Sequence, residues 1–377
     1  MKYINLSYQN EIEKIITEYP GFKVAEKADE SIAHEILESQ GMQLLENLRL
    51  SYSRRPDLWK SFEDSNQRAL VFFEHVQKTA IAAISESDCY YLTKPTNSYY
   101  SSDLRLSPKT PMRVRRDFRE FYQKLISALP TDSICTTAIL KDNIKAMNTF
   151  TRGSSTMFYN EMFEYLIRTI VILPGIFFNL RRKIKGYEVI QLENQPEREA
   201  ELNRFIQDFE NKADFSNNIL KSRELKKSKE DEFIILKDNK IEGYFSLLRP
   251  ISRSIFVQTT SVWIKMMLKL LSLFSRSDLS EKLPWVYVTS MVFSDELKSK
   301  PNLLSLIIME LRHSKRLKTG ELLLMVHPKT GEYAKEKDSG FILKCPQVIN
   351  TGVIFRVESE KHDRSLKGQV HIDPSEL

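Results

Sequence analysis

A chain of 377 residues with a formal charge of +6 is long enough for two ordinary domains. Hydrophobic residues at 41% and charged residues at 28% are values of a globular chain, and so mild a charge excludes the dense basic surface of a dedicated nucleic-acid binder. Three cysteines, Cys89, Cys135 and Cys345, are too far apart for a metal motif and odd in number, so they read as small core residues in a reducing compartment.

Met1-Lys-Tyr-Ile-Asn has no apolar signal core, which points to a cytoplasmic protein. The most apolar window, Tyr165 to Leu180, is interrupted by Arg168 and by Pro174-Gly175 and is too short to span a bilayer; its run Ile170-Val-Ile reads as a buried strand. The basic runs Arg113-Val-Arg-Arg, Arg181-Arg-Lys and Lys221 to Lys229 read as solvated faces or linker.

Along the chain, Ile12, Ile15, Ile16 and Tyr19 carry helical spacing that ends at Pro20-Gly21, and a second helix fits Glu30 to Ser39. Strand-like text covers Gln43 to Tyr52, and Pro56 to Phe62 reads as a short helix or turn. Ala69 to Val76 and Thr79 to Ser85 form an antiparallel pair across Gln77-Lys78. A short strand, Asp103 to Leu106, stops at Pro108. Phe118, Phe121, Leu125 and Leu129 then mark an amphipathic helix over Asp117 to Leu129. Ser133 to Leu140 is a strand, Ile144 to Phe150 a helix stopped at Arg152-Gly153, and Tyr165 to Leu173 a strand.

Glu188 to Glu230 reads as helical and charged. The order then starts again: Phe233 to Leu236 and Ile241 to Leu248 form a hairpin about Asp238-Asn239, and Val286 to Phe293 is a strand. Leu303 to Arg316 is an amphipathic helix, Glu321 to Val326 a strand, Glu332 to Gly340 a short helix and Val348 to Val357 a strand pair; the tail after Glu358 looks frayed. Trp263 to Phe274 is an apolar stripe holding Lys265 and Lys269. It fits either packing over a domain junction or an interfacial helix. The repeated order implies a duplicated α/β (α+β) domain: residues 1–186, a helical charged linker 187–230, a second domain 231–357 and a polar tail 358–377.

The ordered set Ser102-Asp-Leu-Arg-Leu-Ser-Pro-Lys, Thr137-Ala-Ile-Leu-Lys-Asp-Asn-Ile-Lys-Ala and Thr151-Arg-Gly resembles the GNAT acetyltransferase superfamily. Leu48-Arg-Leu-Ser-Tyr-Ser-Arg-Arg-Pro-Asp-Leu-Trp-Lys, Ile241-Glu-Gly-Tyr and Val257-Gln-Thr bring it nearest a bacterial branch with two tandem GNAT-like domains, each a mixed, mainly antiparallel sheet flanked by helices. The likeness covers residues 40 to 357 and implies an N-acyltransferase. Its cosubstrate would be acetyl-CoA or another acyl-CoA, with no metal. A small molecule or peptide would supply the acceptor amine, with no specific nucleic acid as partner. It further implies that Leu104, Arg105 and Leu106 offer backbone groups to the pantetheine arm, with Ala138 to Leu140 across a gap. Asn143 would touch that arm or cap the next helix, and Arg113, Arg115 and Arg116 would hold the pyrophosphate.

Two departures count against chemistry. Pro111 to Arg116, which matches the phosphate loop, holds no glycine, so Met112 and Val114 would crowd the backbone approach and Pro111 removes a donor. Phe150 stands where a GNAT usually has the tyrosine that protonates the leaving thiolate, leaving Tyr159 and Tyr165 as substitutes. Glu74, His75 and Glu86 are the nearest base candidates. In the second half, His327-Pro328 ends a strand where α/β sheets often place sites, and Gly340-Phe341 resembles the end of the last GNAT helix. The alternative is a catalytically inactive GNAT-fold binding or regulatory protein.

Overall fold

The computed structural model describes residues 9–39, 42–45, 48–63, 68–107, 109–151, 158–172, 186–226, 230–250, 253–273, 278–300, 303–329, 347–358, 366 and 369–371. The run 181–183, Arg152-Gly153, Cys345, the expected helix 332–340 and Gly340-Phe341 lie outside them, as does most of the tail.

Helix α1 (Gln9–Glu18), strand β1 (Phe22–Val24) and helix α2 (Glu30–Glu38) come first, then β2 (Met42–Leu45), β3 (Leu48–Ser53) and α3 (Leu58–Glu63). An antiparallel run β4 (Arg68–Glu74), β5 (Ala80–Tyr91) and β6 (Lys94–Leu106) is followed by α4 (Met112–Ser127), β7 (Ile134–Leu140), α5 (Ile144–Thr151) and β8 (Phe158–Val171). Next come β9 (Tyr187–Gln191), α6 (Glu199–Glu210), β10 (Ala213–Asn217) and α7 (Ile219–Lys226). The second half holds β11 (Glu230–Lys237), β12 (Lys240–Leu248), β13 (Ser254–Thr260), α8 (Val262–Ser272), β14 (Lys282–Leu283) and β15 (Trp285–Phe293). It closes with α9 (Asp295–Lys298), α10 (Leu303–His313), β16 (Leu322–Pro328), β17 (Gln347–Glu358) and β18 (Gln369–His371).

Among the described residues one sheet runs β1-β4-β5-β6-β7-β17-β8-β16-β15-β12-β11-β9, with β10 attached to β5 and β18 to β10. A smaller sheet, β14-β13-β3-β2, joins the halves through the antiparallel pair β3 and β13. The last strands are exchanged. β17, from the far end of the chain, lies between β7 and β8, and β8 pairs with β16 of the second half. A cut near residue 186 therefore leaves each half's final strand bonded to the other half.

Helices cover both faces of the first half. On one, Phe118, Phe121, Tyr122, Leu125 and Ile126 of α4 pack with Ile12 of α1 against Leu70, Phe72, Ala82, Ile84 and Tyr99. On the other, Leu58, Trp59 and Phe62 of α3 and Ala33, Ile36 and Leu37 of α2 cover Val71, Phe73, Ile81 and Ala83. Each large side chain so buried contributes about 1.5–3 kcal/mol. The second half repeats this, with α10 over Ile235, Phe245 and Val288 and α6 over Ile234, Tyr244 and Val292.

Several expectations change. Asp103 to Leu106 is the end of a 13-residue strand, and β5 extends to Tyr91. The stretch 188–230 is not continuously helical: β9 pairs with β11, and β10 separates two helices. Val348 to Val357 is one strand rather than a pair, and Gln369–His371 pairs with β10 where a frayed tail was expected. Cys89 and Cys135 are buried and unbridged.

Candidate functional site

β6 and β7 run parallel and paired only from Ser98–Tyr100 against Ile134–Thr136. Thr137 Oγ1 then donates to the Ser101 carbonyl at 3.0 Å. Beyond it β6 stays bonded to β5 and β7 to β17, so the two strands part and a wedge opens between them. Leu104, Arg105 and Leu106 lie on one arm of the wedge, and Ala138 to Leu140 on the other. The Tyr100 side chain reaches into its narrow end. Its buried hydroxyl, with a pKa pushed well up by desolvation, is hydrogen-bonded by the Ala138 backbone.

A bulge sits on the β6 arm. The register passes from Ile81↔Arg105 to Ala83↔Ser102, so Asp103 and Leu104 together oppose Ala82. Asp103 has φ +54°, a left-handed conformation costly for a residue with a Cβ. It is held by Arg54, whose Nε donates to Asp103 Oδ2 at 2.7 Å with both side chains nearly buried. Arg54 is fixed in turn: Nη1 donates to Ser61 Oγ at 2.9 Å and the guanidinium lies 4.0 Å from the Phe62 ring centroid. Sequence reading missed Arg54, and only its place in Ser-Arg-Arg-Pro after β3 marked it as unusual. Beside the bulge, Ser102 Oγ and Arg105 Nε are buried without a hydrogen-bond partner.

The chain leaves the wedge through a pinned turn. Ser107 N and Thr110 Oγ1 both donate to the Thr79 carbonyl, at 2.8 and 3.1 Å, and Thr110 N donates to the Ser107 carbonyl at 2.9 Å. Arg115 turns back onto this loop, with Nε donating to the Thr110 carbonyl at 2.9 Å and Nη2 to the Ser107 carbonyl at 2.7 Å. Its guanidinium thus shapes the loop. Arg113 and Arg116 are exposed and loosely paired with Asp117, at 3.7 and 3.5 Å, worth at most about 1 kcal/mol each. Pro111 caps α4 without a side-chain bond, and Met112 extends into solvent. The first-turn amides of this 16-residue helix have no acceptor within it, the usual setting for an anion.

The other expected residues are placed as follows. Asn143 Oδ1 accepts from Ala146 N at 3.2 Å, so it caps α5. Tyr165 is buried beside Tyr100 and Gly352, and desolvation first, then Tyr100, raises its hydroxyl pKa. Tyr159 is half-buried near Cys135, with its pKa likewise raised by burial. Phe150 lies within α5, its side chain outside the described set. Glu74 accepts from the Val76 and Gln77 amides, both at 2.8 Å, and closes a turn. Glu86 is buried between Arg68, at 3.0 Å, and the Tyr99 hydroxyl, at 3.3 Å. His75 Nε2 meets the Pro20 carbonyl at 2.7 Å on the surface. Each base candidate therefore has a structural partner.

The second half repeats the device in a different chemistry. β15 and β16 pair in parallel only from Trp285–Val288 against Leu322–Met325, and Ser290, with φ +52°, sits at a bulge opposite Phe245. His327 lies past the end of that pairing. Its Nε2 accepts from Arg168 Nε at 3.1 Å, and burial lowers its pKa to about 4, so the imidazole is neutral.

A parallel strand pair that parts at a bulge occurs in both halves, as in a tandem GNAT fold, and in the first half it stands beside the uncapped N-terminus of α4. No family model matches the sequence, and no curated sequence does. Among solved structures, Saccharomyces cerevisiae N-myristoyltransferase with bound myristoyl-CoA matches at TM-score 0.54 and 7% identity, over 93% of this chain and 89% of that one. A second structure of that enzyme with myristoyl-CoA gives 0.52 at 9% identity, over 93% and 85%. A tandem GNAT protein from the clavulanic acid biosynthesis pathway gives 0.50 at 10% identity, over 91% and 99%. At these identities the likeness is one of fold. Among the described residues no helix is long and apolar enough to cross a membrane, and no three His, Cys, Asp or Glu side chains gather as metal ligands would.

Proposed function

We propose that the chain is an acyl-CoA-dependent N-acyltransferase whose first half, within residues 1–186, binds the cosubstrate in the wedge between β6 and β7. The wedge with its clamped bulge at Asp103 is the observation that carries this reading. The amide-like pantetheine arm would pair with the facing backbone at Leu104 to Leu106 and at Ala138 to Leu140, beyond the Tyr100 hydroxyl, as an added strand would. The pyrophosphate would meet the first turn of α4 with Arg113 and Arg116, while Arg115 holds the loop in shape. The myristoyl-CoA bound in the similar N-myristoyltransferase supports the substrate class. Tyr100 bridges the narrow end of the wedge to Ala138, with Tyr165 buried nearby, and a wedge closed in this way would favour a short acyl group such as acetyl.

In the reaction the acceptor nitrogen attacks the thioester carbonyl, the carbon–sulfur bond breaks, and the nitrogen's proton ends on the departing thiolate. A buried tyrosine whose pKa lies above its ordinary value keeps its proton at neutral pH, so Tyr165 fits hydrogen-bond donation better than full proton transfer. A second reading, cosubstrate binding without transfer, is favoured by the partners already held by Glu74, Glu86 and His75.

Thiol release from acetyl-CoA and from myristoyl-CoA, assayed against a panel of primary amines and N-terminal peptides, separates these readings. Amine-dependent release with acetyl-CoA supports transfer. Binding of acetyl-CoA with no release across the panel supports the second reading, and faster release with myristoyl-CoA contradicts the short-chain assignment.

A further inference from the structure

Helix α8 has three faces. Ile264, Leu268 and Leu271 pack into the cluster of Leu50, Ile255, Leu279, Leu283 and Leu322 and fix the helix to the small sheet. At about 100° per residue, Val262, Trp263, Met266, Leu270 and the C-cap Leu273 share a separate arc about 100° wide. These five side chains are 78, 68, 59, 59 and 78% exposed. Lys265 and Lys269, exposed and the only charged residues in the helix, lie along one border of that arc. A lone exposed apolar residue needs no explanation, but a ridge of five along a whole helix does.

The corresponding helix of the first half shows the contrast. α3 follows β3 as α8 follows β13, and β3 and β13 pair with each other. In α3, Leu58, Trp59 and Phe62 are buried under α2. In α8 the tryptophan faces outward.

We propose that this ridge is a peripheral contact with an anionic lipid bilayer, with α8 lying along the interface. The exposed ridge would sink its apolar side chains to the headgroup–acyl boundary, where an indole is well placed. Lys265 and Lys269 would extend from the rim to the lipid phosphates. Charge complementarity favours lipid as occupant: both charges of the helix are cationic and line one border, as snorkelling requires. One neighbouring acid, Asp278, lies within the lysines' field but is engaged first by Ser280. The contact is independent of the chemistry assigned to β6 and β7.

The test is co-sedimentation of the full chain with vesicles of phosphatidylcholine alone and of phosphatidylcholine with phosphatidylglycerol, at low and high salt. We expect salt-sensitive partition to the anionic vesicles only, with a blue shift in tryptophan emission. Trp263→Ser with Leu270→Ser should lower the partition coefficient at least about tenfold, and Lys265→Gln with Lys269→Gln by about tenfold, on the usual scale of interfacial burial and surface charge. Because these side chains are exposed, the melting temperature should not change, which separates lost binding from lost folding. Failure of the parent to bind anionic vesicles, or equal partition of parent and variants, would overturn the proposal. So would a dimer in analytical ultracentrifugation that the apolar substitutions disperse, which would make a second copy the occupant.

Discussion

Gly352 sits where β17 crosses β8, directly over the Tyr165 ring. A Cβ there would lie 2.2 Å from Tyr165 Cζ, so Gly352→Ala must displace a buried aromatic. Overpacking of this kind costs about 1–3 kcal/mol, which urea denaturation would read as a lowered midpoint at unchanged slope. Two buried ionisable groups give opposite pH signatures. His327 protonates at about 4 in the fold and near 6.5 when unfolded, so it removes stability as pH falls from 6.5 to 4. Glu210, raised to about 7 by burial, adds stability that is full below about 4.5 and lost as pH rises through 7. Melting curves should therefore show the acid-side loss reduced in His327→Gln and the loss between pH 4.5 and 7 reduced in Glu210→Gln; unchanged profiles would contradict both assignments. Legibility at this scale followed turn chemistry. Asp238-Asn239 both take positive φ, as such residues readily do, and that hairpin could be read from sequence. Leu92-Thr93 adopt the same conformation at the β5–β6 turn without a residue that announces it, so the second half of β5 and most of β6 were missed. Val348 to Val357 was read as a strand pair and is a single strand, in which Gly352 gives room to the Tyr165 ring.

At the scale of elements, the β6 bulge is the feature on which the site depends. Left-handed backbone at a non-glycine residue persists only where its surroundings enforce it, and the Arg54–Asp103 pair supplies that enforcement. Arg54→Met alone strands a buried carboxylate and should cost about 3–5 kcal/mol. Arg54→Met with Asp103→Asn should cost clearly less than the two single changes summed, measured as a double-mutant cycle. Strict additivity would show that the pair is not coupled. The amphipathic spacing of α4 could be read directly because its apolar face is packed as written. The roles of its arginines could not: Arg115 bonds loop carbonyls while Arg113 and Arg116 stay exposed, and nothing in Arg113-Val-Arg-Arg distinguishes them. Asn143 resolved to its cap, a local interaction that the sequence already suggested.

For the whole molecule, the exchanged strands β8 and β17 make the two halves one sheet. Repeated element order was visible along the chain, but the exchange was not, since a strand's pattern shows that a face is buried and not which strand lies beside it. Residues 1–186 expressed alone would leave β7 without β17 and β8 without both neighbours. We expect that fragment to be unfolded or aggregated, and to become soluble as a one-to-one complex when co-expressed with 187–377. A dispersed NMR spectrum from 1–186 alone would contradict the exchange. Calorimetric titration with acetyl-CoA would show whether the wedge in the first half holds acyl-CoA. We expect saturable binding with one site per chain, a rise in stability of about 2.7 kcal/mol at a hundredfold excess over Kd, and clear weakening by Arg113→Ala with Arg116→Ala. No heat and no shift in melting temperature at millimolar acetyl-CoA would contradict it.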